Sequence, residues 1–183
     1  MPPLAATRNR RILSLTGFMG SGKTTVGRLL AGQLGWRFTD LDTEIETRSQ
    51  LSIPAIFEKF GEARFRELEH TELERALGAA AEGGFALVLA LGGGTLTQPA
   101  NLELLRGAGT VLVWLDCPVD DLLLRCARMT NRPLFRDEAS FRRLHEERLP
   151  AYRLADFRVE SSAEPRQVVE RILALGIFER VSV

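Results

Sequence analysis

Gly17-Phe18-Met19-Gly20-Ser21-Gly22-Lys23-Thr24 follows the pattern G-x-x-x-x-G-K-S/T. In such a run the backbone N–H groups of small residues curl around a polyphosphate. Lys23 then reaches the outer phosphates, and the Thr24 hydroxyl can bind Mg2+. Gly20, Ser21, Gly22 and Thr25 complete the expected cradle, so the chemistry implied is the binding of ATP or GTP.

Carboxylates and guanidinium groups follow downstream. Asp40 and Asp42 stand where one carboxylate can hold the metal and the other can meet an acceptor hydroxyl. Two positions apart in an extended segment, they would point the same way; the alternative duty of either is to cap the next helix. Arg66, with Glu62 at i−4 and Glu69 at i+3, reads from spacing alone as a surface helix ion-pair partner. Gly92-Gly93-Gly94 brings bare backbone up to whatever fills the crevice, because no Cβ stands in the way. Arg125, Arg128, Arg132 and Arg136 surround a polar segment broken by Pro133, which suits a lid over phosphates at about 127–139. Arg153 carries no signal of its own, and His70 and His145 read as surface or helix-packing residues.

The elements that must position these groups alternate. Leu13 and Leu15 belong to a strand before the glycine-rich run, and Val26, Leu29, Leu30, Ala31 and Leu34 recur behind it at helical spacing. Trp36–Thr39 reads as a strand, Thr43–Ser49 as a helix, and Ile53–Phe60 and Glu62–Ala81 as helices broken at Gly61. Phe85–Leu91 and Thr110–Leu115 are continuous apolar runs, as strands covered on both faces should be. Pro118–Met129 is an amphipathic helix and Ser140–Leu149 another, then come a short strand at Phe157–Glu160 and a helix at Pro165–Leu175. The pattern is α/β: a parallel sheet with helices on both faces and ligands at the carboxyl ends of its strands.

With 183 residues there is room for one domain from residue 12 onward, behind a flexible leader at 1–11 that lacks the apolar core of a signal peptide. Twenty-four basic residues balance twenty-four acidic ones, so no global field favours nucleic acid or anionic lipid. No apolar run approaches the ~20 residues that cross a bilayer. Cys117 and Cys126 are too few and too isolated for a zinc site, and read as buried thiols in a reducing, cytoplasmic setting. The absence of an exposed heptad seam favours a monomer.

Taken together, these pieces resemble the shikimate kinase family over Ile12 to about Leu175. The resemblance rests on residues 17–28, on Phe-Thr-Asp-Leu-Asp-Thr-Glu-Ile-Glu at 38–46, and on Ile56 to Glu69. Leu91 to Gly94, Asn-Arg-Pro-Leu at 131–134 and Tyr152-Arg153 extend it, in the family's order. It implies a five-stranded sheet of order 2-3-1-4-5, like nucleoside monophosphate kinases, and transfer of phosphate from ATP to the 3-hydroxyl of shikimate. Lys23, Asp42 and Arg132 would be catalytic, with Arg132 the lid arginine reaching both phosphate and substrate. Asp42, Arg66, Gly92, Gly93, Gly94 and Arg153 would hold shikimate against a wall of Phe57 and Phe65. Asp40 would contact Mg2+ through water, and Arg125 and Pro165 would border adenine. The alternatives are another small-molecule kinase of the same fold, such as a gluconate kinase, or a non-catalytic nucleotide-binding protein. The latter would be free to lose Lys23, Asp42 or Arg132, and all are present.

Overall fold

The computed structural model describes residues 11–127 and 137–178. Five strands, β1 (Ile12–Thr16), β2 (Arg37–Asp40), β3 (Leu87–Ala90), β4 (Val111–Asp116) and β5 (Phe157–Glu160), form one sheet in the order β2-β3-β1-β4-β5. Every neighbouring pair is parallel. Among the described residues seven α-helices lie around it: α1 (Lys23–Leu34), α2 (Leu41–Ser49), α3 (Ile53–Gly83), α4 (Pro99–Gly107), α5 (Val119–Ala127), α6 (Glu138–Tyr152) and α7 (Pro165–Leu173).

The central strands are buried on both faces, so side chains adjacent in sequence enter different layers. Leu87, Leu89 and Leu91 join Ile45, Ile56, Leu73 and Leu105 on one side. Val88, Val113 and Leu115 meet Val26, Leu30, Val168 and Ile172 on the other. A third cluster of Phe18, Trp114, Leu122, Phe141 and Tyr152 packs behind the glycine-rich loop. From β1 the chain turns first towards β2 and β3 and later crosses to β4 and β5, so the crevice opens where the strand order reverses.

Three local outcomes shape the site. The strand at β2 runs one residue further than its pattern suggests, and Asp40 caps α2 by accepting from the Thr43 N–H at 3.3 Å. Asp42 therefore stands in the first helical turn and not in an extended segment, which corrects the expectation that both carboxylates project the same way from a strand. α3 continues through Gly61, whose φ of 80° and ψ of 174° break the helical path there. α6 does not stop before Pro150 but runs on to Tyr152. Proline removes one N–H from the ladder, and here only the last turn is affected.

Candidate active site

A cavity of about 730 Å³ opens along the carboxyl ends of the central strands. On one side of it lies the loop after β1. Gly20 and Gly22 have φ of 80° and 96°, a backbone state that L side chains rarely adopt, and so turn the chain tightly into α1. α1 starts at Lys23 with no side-chain cap, leaving its first N–H groups open to an anion. Lys23 Nζ donates to the carbonyls of Gly17 at 2.8 Å and Phe18 at 3.1 Å. Gly20, Ser21, Gly22, Lys23, Thr24 and Thr25 all line the cavity. Further along the same side, Arg125 donates to the carbonyls of Gly20, Ser161 and Ser162, tying the loop to the turn that leads into Pro165. Arg125 and Pro165 also line the cavity.

Thr24 and Asp40 meet at the mouth of the cradle, where the Thr24 hydroxyl donates to Asp40 Oδ2 at 2.5 Å. Two hard oxygen groups beside a phosphate loop suit Mg2+, which takes few protein ligands and keeps water and phosphate oxygens around it. Among the described residues no group of three or more His, Cys, Asp or Glu side chains could form a metal cage, so the phosphates and water would complete the coordination.

The opposite side of the cavity is built from four separate segments. Asp42, from α2, faces the Gly92 backbone: a Cβ added at Gly92 would lie 2.9 Å from its Oδ1. Arg66, from α3, comes so near Gly94 that a Cβ there would sit 2.6 Å from its Nη2. These glycines are needed for space and not for φ, since none of the three has positive φ. Phe57 and Phe65, with ring centroids 4.7 Å apart, form the apolar wall.

The sequence reading of Arg66 as an ordinary surface ion pair is half right. It pairs with exposed Glu62 at 3.1 Å, and with Glu69, fully buried beneath the glycines, at 2.8 Å. Burial works to lower the guanidinium pKa, but Glu69 and Glu62 together raise it above its usual value, so it stays charged.

The fourth segment is α6, and here the expectation for Arg153 is corrected. Arg153 is exposed and borders a second hollow, with Trp114, Cys117, His145 and Arg158, outside the main cavity. Arg148 lines the main cavity instead, with its Nη1 2.9 Å from where a Gly93 Cβ would be. Because α6 continues through Pro150, Arg148 and Tyr152 are four apart on one helical face, while Arg153 is turned away from it by one residue. Tyr152 is buried and donates its hydroxyl to the Gly93 carbonyl at 2.6 Å. Burial pushes that phenol well above its ordinary pKa, against the pull of Arg148, so it remains a donor. Arg148 was discoverable as the i−4 neighbour of Tyr152, had the helix been carried through the proline.

Arg128, Arg132 and Arg136, and so the bulk of the expected lid, lie outside the described residues, as does the leader before Arg11. His145 packs edge-on against Phe18, and His70 faces Asn101, so both fulfil packing or structural roles.

A sheet of this order with a phosphate cradle at its switch point and an acceptor pocket beside it defines a P-loop kinase of small molecules. The family model described as shikimate kinase matches residues 19–175. The shikimate kinase of Persephonella marina is 41% identical over 165 residues, spanning 89% of this chain and 97% of that protein. That of Geobacter sulfurreducens is 44% identical over 173 residues, spanning 93% and 91%. Shikimate kinase from Acinetobacter baumannii, solved in complex with shikimate, superposes with a TM-score of 0.83 at 41% identity, covering 91% of this chain and 92% of that one. The chain belongs to the shikimate kinase family. A gluconokinase from Sinorhizobium meliloti, with a TM-score of 0.59 at 19% identity, shares the fold alone.

Proposed function

We propose that this chain transfers the γ-phosphoryl group of ATP to the 3-hydroxyl of shikimate, giving shikimate 3-phosphate and ADP. The observation that carries this reading is the convergence of Arg66, Arg148 and Asp42 on the Gly92–Gly94 backbone beside the phosphate loop. A small triol with one carboxylate needs two cations for the carboxylate and an acceptor for its hydroxyls. Two guanidinium forks and one aspartate supply them. Arg148 takes the part that the resemblance had assigned to Arg153.

Each residue then has a duty. The α1 N-terminus and the loop N–H groups hold the phosphates, and Lys23 leaves its two loop carbonyls to neutralise charge on the group in flight. Arg125 and Pro165 border adenine, and the resemblance assigns Arg132, outside the described residues, to both phosphate and acceptor. Asp42 accepts a hydrogen bond from the attacking hydroxyl and aims it; a loose transition state asks little more of a base. Thr24 would hold Mg2+ directly and Asp40 would hold it through water. The ion, when bound, shields the phosphate charge. Gly92–Gly94 and the Phe57–Phe65 wall keep the acceptor close and dry.

The reading is of a monomer, in line with the lack of an exposed heptad seam in the sequence, in a reducing cytoplasm that suits two buried cysteine thiols. A coupled ADP-release assay with ATP, Mg2+ and shikimate, quinate, gluconate or AMP tests it. Rapid turnover is expected with shikimate, and faster turnover of gluconate or AMP would overturn it.

A further inference from the structure

From Glu69 in the lining of the acceptor pocket, a chain of hydrogen bonds runs back into the protein. The Glu69 carboxylate is divided: Oε2 accepts from Arg66 Nη1 at 2.8 Å and Oε1 accepts from the Thr95 hydroxyl at 2.6 Å. Thr95 opens the 3₁₀ turn Thr95–Thr97 directly after Gly94. Its carbonyl accepts from Asn101 Nδ2 at 3.1 Å. Asn101 Oδ1 lies 2.7 Å from His70 Nδ1. Since the amide nitrogen of Asn101 is committed to Thr95, its oxygen is the acceptor and His70 Nδ1–H the donor. His70 is the chain neighbour of Glu69, so this chain of bonds returns to its start.

Glu69, Thr95 and Asn101 are fully buried, so the Thr95–Glu69 and Asn101–Thr95 bonds are made where water cannot replace them. A second lock adds to the first: the Thr97 hydroxyl donates to the Gly94 carbonyl at 2.6 Å. Three elements are thereby held in one geometry: α3, which carries Arg66; the turn, which carries Gly94; and α4, which carries Asn101. The quantity they jointly set is the distance between the Arg66 guanidinium and the Gly94 backbone, which has no room to spare.

We infer that Thr95, Asn101 and His70 are positioning residues for the acceptor, acting through Glu69 to hold Arg66 and through the turn to hold Gly94. The inference rests on the reading of Arg66 as a shikimate-binding cation. None of the three lines the cavity. Their removal loosens Arg66 and thereby selectively weakens the acceptor side, leaving the phosphate loop on the far side of the cavity unchanged.

Thr95→Val keeps shape and deletes the hydroxyl, leaving one Glu69 oxygen unpaired. It should raise the KM for shikimate about tenfold, the scale of one lost hydrogen bond to a charged group, with ATP KM within about twofold. Thr95→Ser should restore both values. His70→Leu, at a half-buried position that tolerates change, should raise shikimate KM by about twofold to threefold, and His70→Asn, which replaces the donor, should restore it. The deciding measurement is a double-mutant cycle by calorimetry with shikimate alone. If Thr95 acts through Arg66, its effect should largely vanish in an Arg66→Lys background. Additive effects, or equal losses for ATP and shikimate, would overturn the inference, as would a lowered Tm with unchanged shikimate affinity. If Thr95→Val fails to fold, the His70 pair decides by the same criteria. An Arg66→Lys variant with unchanged shikimate affinity would instead remove the reading of Arg66 itself, so the two failures are distinguishable.

Discussion

Between Gly17 and Thr24 one unbroken run of eight residues supplies the phosphate cradle, whereas the acceptor wall draws on α2, α3, the Gly92–Gly94 turn and α6, from Asp42 to Arg148. The cradle binds largely with main-chain groups whose directions follow from local φ and ψ. The acceptor wall binds with side chains whose directions depend on how distant helices pack. Acceptor selectivity is thereby placed in side chains that the phosphate loop does not touch.

The sharpest way to break that contrast is to damage the local side. Lys23→Ala should lower kcat by a factor on the order of 10² to 10³, as loss of a transition-state charge donor does. Steady-state kinetics at saturating ATP and shikimate measure it. A change confined to the KM of ATP would make Lys23 a ground-state binding group only.

A smaller effect tests the assembled side. Arg148→Ala should weaken shikimate binding by about 1.5–3 kcal/mol, the scale of hydrogen bonds to a charged group, and leave binding of an ATP analogue nearly unchanged. Arg153→Ala should leave both within about twofold, because surface charges away from a site matter little. Calorimetry with each ligand separately would show it. The reverse ranking would return Arg153 to the acceptor site and place α6 in a different rotation when ligand is bound.

The smallest expected effect sharpens the comparison between glycines. In Gly94→Ala the new Cβ meets the mobile end of Arg66, so the side chain shifts and shikimate affinity falls by about 1 kcal/mol, the scale of an off-rotamer side chain, with little change in Tm. In Gly17→Ala the new Cβ meets the Leu115 carbonyl at 2.6 Å, and φ is 143°. Neither backbone can yield cheaply, so Tm should fall clearly. Equal Tm losses in thermal melts would mean that the Gly92–Gly94 turn is as rigid as the phosphate loop.

Much of the fold was legible because its signals are local. The apolar runs at β1, β3 and β4 are buried strands, and Gly61 interrupts α3 at the residue expected. α4 carried no comparable signal: its nine residues bury only Asn101 and Leu105, too few to mark a helical period. Among site residues, the phosphate loop, Asp40 and Asp42 were readable from type and spacing. Glu69 was visible only as a helix partner of Arg66, since its burial depends on the turn that closes over it.

By itself the sequence determined the class of chemistry, for an unbroken glycine-rich run ending in Lys23-Thr24 specifies its own backbone conformation and the helix behind it. It also determined the alternation that makes a parallel sheet, because periodicity is a property of neighbours in the chain. Only the tertiary structure decided that Arg148 and not Arg153 lines the main cavity. That choice turns on one residue of helical rotation, about 100°, past a proline that local rules treat as a stop. The fully buried cluster of Phe141 and Tyr152 against Phe18, and the bond from Tyr152 to the Gly93 carbonyl, hold α6 in the rotation that makes it.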